Sequence, residues 1–218
     1  MEAIGHILSI PKLQIDSRWL QKIFIDSGGN RKRMEIVVSV CSQVSRRLNR
    51  ASMDGFKAVD FHDRCDFKGE CIVIIQVALL KEKFVFGGYT KRGWGEPFDA
   101  LQRCILFVVR FYSIANGYKY DKEMFLFTLT NPHHVPPFLI RHREKDYAIY
   151  NDLSWGPCFY NGIYISNDCN ENNESQISPN VESYIYNEVY SNTIFVNTNK
   201  KRKSNHFKVN DYEVFGII

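Results

Sequence analysis

The sequence predicts an α+β domain, an antiparallel β-sandwich of two sheets flanked by a few short helices. Three observations carry that prediction. From Ile72 onward the apolar residues fall in short runs broken by Gly, Pro, Asn and Asp, the pattern of many short antiparallel strands. Aromatic residues are plentiful, 16 Phe and 12 Tyr against only 4 Met, and aromatic rings fit a pleated, half-buried surface well. No strand–helix–strand alternation is visible, nor a GxGxxG or P-loop pattern, which counts against the nucleotide-binding parallel-sheet folds.

The first 48 residues read as a helical lead-in, packing on or preceding a domain over residues 49–218. Ser17 is placed to cap a helix from Arg18 to Ile25 that ends at Gly28-Gly29. A second helix is expected from Lys32 to Asn49, where Ile36, Val40, Val44 and Leu48 recur at four-residue steps and Arg46, Arg47 and Asn49 take the other face. Further helices are expected at Lys57 to Arg64 and Phe98 to Ile114. Strands are expected at Ile72–Val77, Lys83–Tyr89, Met124–Leu129, Tyr147–Tyr150, Gly162–Ser166, Tyr184–Tyr186, Thr193–Val196 and Phe207–Ile217. The Asn- and Ser-rich stretch from Asn167 to Asn180 reads as a flexible surface loop, because strand-like sequence resumes beyond it.

The final strand contains a conflict. Strict alternation places Phe207, Val209, Asp211, Glu213, Phe215 and Ile217 on one face, so two carboxylates interrupt an apolar row. Burying an unpaired carboxylate costs several kcal/mol. Either a bulge resets the phase and exposes Glu213, or Glu213 has a specific partner.

The net charge of +4 is too mild to argue for nucleic acid, which calls for a concentrated basic face. The excess sits in three runs, Arg31-Lys32-Arg33, Arg141-His142-Arg143 and Lys200-Lys201-Arg202-Lys203, each read as a solvated loop. None of the six cysteines forms a CxxC; His62, Cys65 and Cys71 lie close in sequence, but without a fourth ligand at suitable spacing they are read as ordinary thiols and a histidine, not a metal site. The Met1 end shows no basic stretch leading into an apolar one, and the expected compartment is the reducing cytosol. The apolar run from Cys104 to Val109 is too short to cross a bilayer, so no transmembrane segment is expected.

A series of short motifs then appears in a fixed order: Arg50-Ala51-Ser52-Met53-Asp54-Gly55-Phe56, Asp60-Phe61-His62, Cys65-Asp66-Phe67-Lys68-Gly69, Phe86-Gly87-Gly88-Tyr89-Thr90 with Trp94 behind it, Phe125-Leu126-Phe127-Thr128-Leu129, Gly156-Pro157, Ile163-Tyr164-Ile165-Ser166 and Tyr212-Glu213-Val214-Phe215. No single one is specific, but the set over roughly residues 49–218 resembles the TLDc domain of the oxidation-resistance proteins. Physically, Asp54-Gly55 is a tight-turn pair, Gly87-Gly88 permits a close backbone approach, and Gly156-Pro157 reads as a turn. The sequence departs from the family pattern in the long apolar segment from Pro97 to Tyr120, in residues 31–47, and at Val59, where a helix cap is expected and Asp60 is the available substitute.

The resemblance implies a protein that binds the cytosolic sector of the vacuolar-type proton-pumping ATPase and supports resistance to oxidative stress. It implies a cytoplasmic protein, peripheral to vacuolar or endosomal membranes through that partner. Family members also carry an Asp, His and Glu trio discussed as catalytic. Asp54 and Glu213 match its acidic members, but Arg92 stands where the His would fall, and a guanidinium is no general base at neutral pH. Arg92 is expected to pair with Glu213 or Asp54. His62 is the remaining candidate, expected to be a packing and hydrogen-bonding residue. The expectation is therefore a binding domain with no cofactor, with Tyr89, Trp94 and Trp155 as candidate contact aromatics. The alternatives are an adaptor docking through the Lys32–Asn49 helix, or a hydrolase or antioxidant enzyme built on Asp54, His62 and Glu213.

Overall fold

In a computed structural model of the chain, residues 44–79, 82–95, 117–135, 138–142, 148–178, 184–185, 195 and 205–217 are described. They begin with strand β1 (Val44–Arg50), helices α1 (Ala51–Asp54) and α2 (Ala58–Cys65), and strands β2 (Cys71–Leu79), β3 (Glu82–Thr90), β4 (Gly117–Lys119), β5 (Phe125–Thr130) and β6 (Phe138–His142). Strands β7 (Ile149–Asn151), β8 (Trp155–Cys158), β9 (Ile163–Ser166), β10 (Ser175–Ile177), β11 (Tyr184–Ile185), β12 (His206–Phe207) and β13 (Val209–Ile217) follow.

The strands form three sheets where the sequence suggested two. A seven-stranded sheet runs β1-β13-β2-β3-β5-β6-β11, a four-stranded sheet runs β12-β10-β9-β8, and β4 and β7 pair as a separate two-stranded sheet. The small sheet ends where Asp152 Oδ1 accepts from Ser154 N–H (2.9 Å) and Oγ (2.6 Å), closing the turn that leads into β8. An isolated bridge, Ile149 to Phe159, and the Tyr160 N–H donating to the Ala148 carbonyl (2.9 Å) link it to the segment that follows β8.

The long strands are apolar without alternation because both faces of the sheet centre are buried. One face of β2, β3, β5 and β13 supplies Val73, Ile75, Phe86, Leu126, Tyr212 and Val214 to the main core, shared with Phe159, Ile163, Ile165, Ile177 and Phe207. The opposite face gathers Ile72, Ile74, Val85, Tyr89, Phe125, Phe127 and Phe215 into a second cluster. Each large apolar side chain buried this way contributes about 1.5–3 kcal/mol. Gly88 lies where this packing is tightest: a Cβ there would stand 2.6 Å from the Phe159 ring, so only glycine lets that ring seat on the sheet.

Several expectations need correction. Residues 44–49 are not the end of a helix but part of β1, paired antiparallel with β13. Side chains four apart share a face in a strand as well as in a helix, and β1 carries two register shifts that reset its phase. Gly156-Pro157 is not a turn but the middle of β8, where the register shifts because proline donates no ladder hydrogen bond. The stretch read as a free loop after Ser166 contains β10, which pairs with both β9 and β12, and Cys169 and Ser175 within it are fully buried. Arg141 and His142 belong to β6 rather than to a loop. The α2 helix starts as expected, with Asp60 Oδ2 accepting from the Lys57 N–H (3.1 Å) in place of a small hydroxyl cap. The expected helices at 18–25 and 98–114, residues 31–43 and the Lys200–Lys203 run lie outside the described residues, as does all of the Thr193–Val196 strand except Phe195, whose ring packs on Phe86 at 5.3 Å.

Candidate functional site

The carboxylate conflict in the last strand is resolved by a specific partner; a bulge is present as well, but it does not expose Glu213. A register shift between Val209 and Asp211 moves Val209 onto the main-core face with Tyr212 and Val214, and leaves Asp211, Glu213 and Phe215 on the other. Glu213 is only 2% exposed, yet it is partnered. Its cross-strand neighbour is Arg50, whose Nε lies 3.5 Å from Oε1, and Arg47 Nη1 approaches the same oxygen at 3.7 Å. Arg50 Nε also reaches Asp211 Oδ2 at 3.3 Å, and Asp211 accepts from Ser52 N–H (3.0 Å) and Oγ (2.7 Å). Asp54 closes the cluster: its Oδ2 accepts the Arg50 N–H (2.8 Å) and its Oδ1 pairs with Arg64 Nε at 3.3 Å. The short α1 turn makes this possible, because Gly55 at φ +116 ends it and lets its own N–H reach the Ala51 carbonyl.

A second ionic site is built on α2. His62 Nδ1 lies 2.9 Å from Asp66 Oδ1, one helical turn on, while Nε2 faces the carbonyls of Asp152 (3.1 Å) and Trp155 (2.9 Å). All three partners are acceptors, so both ring nitrogens must donate, which only the imidazolium can do. Burial opposes the charged form, but the bond to Asp66, its charge and the two carbonyls outweigh it, and the His62 pKa stands above the usual 6.5. Asp152 is shifted the other way: burial works to raise its pKa, but bonds from Ser154 and Tyr150 and the charge of His62 hold it below the usual 3.8. His62 thus ties the end of α2 to the turn between β7 and β8.

These partners determine what the suspected trio can do. Asp54 and Glu213 meet through Arg50, whereas none of the His62 hydrogen bonds goes to either. What faces Glu213 Oε1 is two guanidinium groups, which have no proton to exchange at neutral pH. The expected role of Arg92 is also corrected. It is exposed, its backbone N–H donates to Thr90 Oγ1 at 3.1 Å, and among the described residues the ion pairs of Asp54 and Glu213 go to Arg64, Arg50 and Arg47 instead.

Two of the candidate contact aromatics face inward. Trp94 is fully buried, edge to face with Phe61 (5.1 Å) and Phe159 (5.7 Å), and its loop is tied down by the Phe67 N–H donating to the Trp94 carbonyl. Tyr89 stacks on Phe125 at 4.8 Å and donates to Glu70; burial and that bond raise its pKa. Trp155 alone is half-buried, against Tyr164. Gly87 and Gly88 serve packing, since a Cβ on Gly87 would run into the Val73 carbonyl oxygen, whereas a Cβ on Gly156 would make ordinary contact with Ile165. Cys65 and Cys71 are fully buried; burial pushes the Cys65 thiol up, and the Cys71 thiol donates to the Gly69 carbonyl at 3.2 Å. Such thiols are poor nucleophiles.

Sequence reasoning missed Arg47, Arg50, Arg64 and Asp66. For Asp66 a signal was available, its four-residue spacing from His62 on a helix. For Arg47 and Arg50 there was none, because the segment read as helix and the partner strand lies at the far end of the chain.

Among curated proteins none matches this chain. The TLDc domain, by contrast, matches residues 42–218, a span that opens just ahead of β1 and takes in both ionic sites. With the ordered motifs, this extended match shows that the chain belongs to the TLDc domain family.

Proposed function

We propose that this chain is a non-enzymatic interaction domain of the cytosol that binds the vacuolar-type proton-pumping ATPase and contributes to oxidative-stress resistance. Membership of the TLDc family supports the reading. The observation that carries the non-catalytic part is the commitment of all three suspected residues to ion pairs that tie elements together: Asp54 to Arg64, Glu213 to Arg47 and Arg50, His62 to Asp66. No helix among the described residues is long and apolar enough to cross a membrane, so the membrane association in this reading comes through the partner. Docking through a Lys32–Asn49 helix loses its support, since residues 44–49 are strand.

The test is affinity capture with the tagged full chain from lysate of its own organism. Recovery of cytosolic proton-pump subunits is expected. Turnover of a peroxide or an ester that disappears in a Glu213→Gln variant of unchanged stability would overturn the non-enzymatic reading.

A further inference from the structure

Across the β4–β7 pair and β9, outward positions that face water carry tyrosine. In β4 and β7 the inward residues are Lys119, Ile149 and Asn151, all buried, and the outward ones are Tyr118 and Tyr150. These two are direct cross-strand partners with ring centroids 5.0 Å apart. Tyr160 meets Tyr118 edge to face at 4.8 Å. In β9, Ile163 and Ile165 point inward and Tyr164 outward, 6.5 Å from Tyr150 and 6.2 Å from Trp155. The result is a continuous row, Tyr160–Tyr118–Tyr150–Tyr164–Trp155, crossing from one sheet to the next. Tyr118 is 43% exposed and the others are half-buried. Scattered surface aromatics need no explanation, but a contiguous patch of this kind marks an interaction site.

The chemistry of the row selects its occupant. The rings are held in place: the Tyr150 hydroxyl donates to Asp152 Oδ2 at 2.9 Å, and the Tyr164 hydroxyl accepts the Asn161 N–H at 3.1 Å. A pre-ordered surface loses little entropy on binding. Four of its five rings carry a hydroxyl, whereas an amphipathic helix lays its apolar face into a hydrophobic groove. Single-stranded nucleic acid stacks on such rings but needs cations along its backbone. Among the described residues the ionised group bonded to a ring of the row is Asp152, its charge supported by His62. Lys119 points inward and donates to the Gly93 carbonyl at 3.3 Å, and Lys122 stands over Tyr120, beyond the end of β4. A polyproline II segment fits both features. It has no internal hydrogen bonds, is already extended, and packs its prolines on tyrosine and tryptophan rings. A basic residue beside the prolines complements Asp152.

We infer that the row from Tyr118 to Trp155 is a docking surface for a proline-rich peptide in the polyproline II conformation, its prolines against the rings and a flanking basic residue against Asp152. The inference rests on the reading of this chain as an interaction domain and names the class of partner segment.

The test titrates the full-length protein with a synthetic polyproline peptide ending in arginine. The readouts are tryptophan fluorescence and amide NMR shifts. Comparison ligands are the same peptide ending in glutamate, and oligothymidine. Saturable shifts confined to β4, β7, β8 and β9 are expected, with the arginine peptide binding more tightly than the glutamate one. Tyr118→Ala, a change at an exposed ring, is expected to weaken binding about tenfold, the size of one aromatic hot-spot contact, while leaving the thermal transition in place. The inference is overturned by an absence of saturable shifts, by undiminished binding in Tyr118→Ala, by preference for the glutamate peptide, or by tighter binding of oligothymidine. Capture of proton-pump subunits that persists in Tyr118→Ala overturns this surface while leaving the broader interaction reading intact.

Discussion

Glu213 and His62 are both buried ionisable groups with oppositely charged partners, but the two sites are built differently. The arginines paired with Glu213 keep 28–29% of their side chains in solvent, and two of them share one oxygen. The His62–Asp66 pair is 5% and 10% exposed, and among the described residues Asp66 has no ion pair with a second cation. The first site is a redundant network at the edge of the sheet, where water can take over part of a lost contact. The second is a single clamp whose removal leaves a carboxylate and two carbonyls facing each other. Burial alone therefore does not rank the two; the number of substitute partners does.

The largest expected effect follows from the clamp. His62→Leu is expected to cost about 3 kcal/mol of unfolding free energy, the order measured when one partner of a buried hydrogen-bonded pair is removed. Urea denaturation reads it directly, and a loss below about 1 kcal/mol would break the contrast. Arg50→Ala comes next, at about 2 kcal/mol, because Arg50 serves both Asp211 and Glu213 but leaves Arg47 behind. Arg47→Ala is expected to cost about 0.5–1 kcal/mol, because its guanidinium is partly solvated and Arg50 stays in place on Glu213. The Arg47→Ala and Arg50→Ala double variant should lose more than the sum, since each arginine covers for the other on Glu213; strict additivity would mean there is no shared network.

Acidity separates the sites further. Because the folded His62 pKa stands above its usual 6.5, the clamp's contribution is complete below about pH 6.5 and falls as pH rises through the folded value. The acids facing it, Asp66 on its own helix and Asp152 across the turn, are the groups that maintain that charge. The difference in stability between the native sequence and His62→Gln should therefore shrink on the alkaline side, and a constant difference from acid to alkaline pH would show that the ring is not a cation. The smallest effect is that of salt. Raising ionic strength from about 0.1 to 1 M shortens the screening length from roughly 10 to 3 Å, and should reduce the Arg50→Ala penalty by a few tenths of a kcal/mol while leaving the His62→Leu penalty unchanged.

Most strands of the large sheet were legible because Ile72–Val77, Lys83–Tyr89 and the Phe125 segment are apolar runs with clear turn signals, and those signals are local. The conflict at Asp211 and Glu213 was legible too; of its two suggested resolutions the partner is the one that occurs, since the bulge leaves Glu213 buried. What stayed hidden was the other half of each site. Val44 and Leu48 satisfy helical and strand spacing equally, and the open edge of β13 is what makes the segment a strand. Likewise, Tyr89 and Trp94 look in sequence like surface anchors, and only their packing on Phe125, Phe61 and Phe159 shows that they face inward.

By itself the sequence determined the β-rich character of the chain, its family, the glycines at tight positions and the presence of a carboxylate that needed a partner. These depend on residue type and short spacing. The tertiary structure alone decided which arginines answer Glu213, that His62 is held between Asp66 and two carbonyls of a distant turn, and that five outward aromatics line up across two sheets. The physical reason is that charge pairing and ring packing act through space over a few ångströms, and partners such as Arg50 and Glu213 come within that range only when strands from opposite ends of the domain are paired in register.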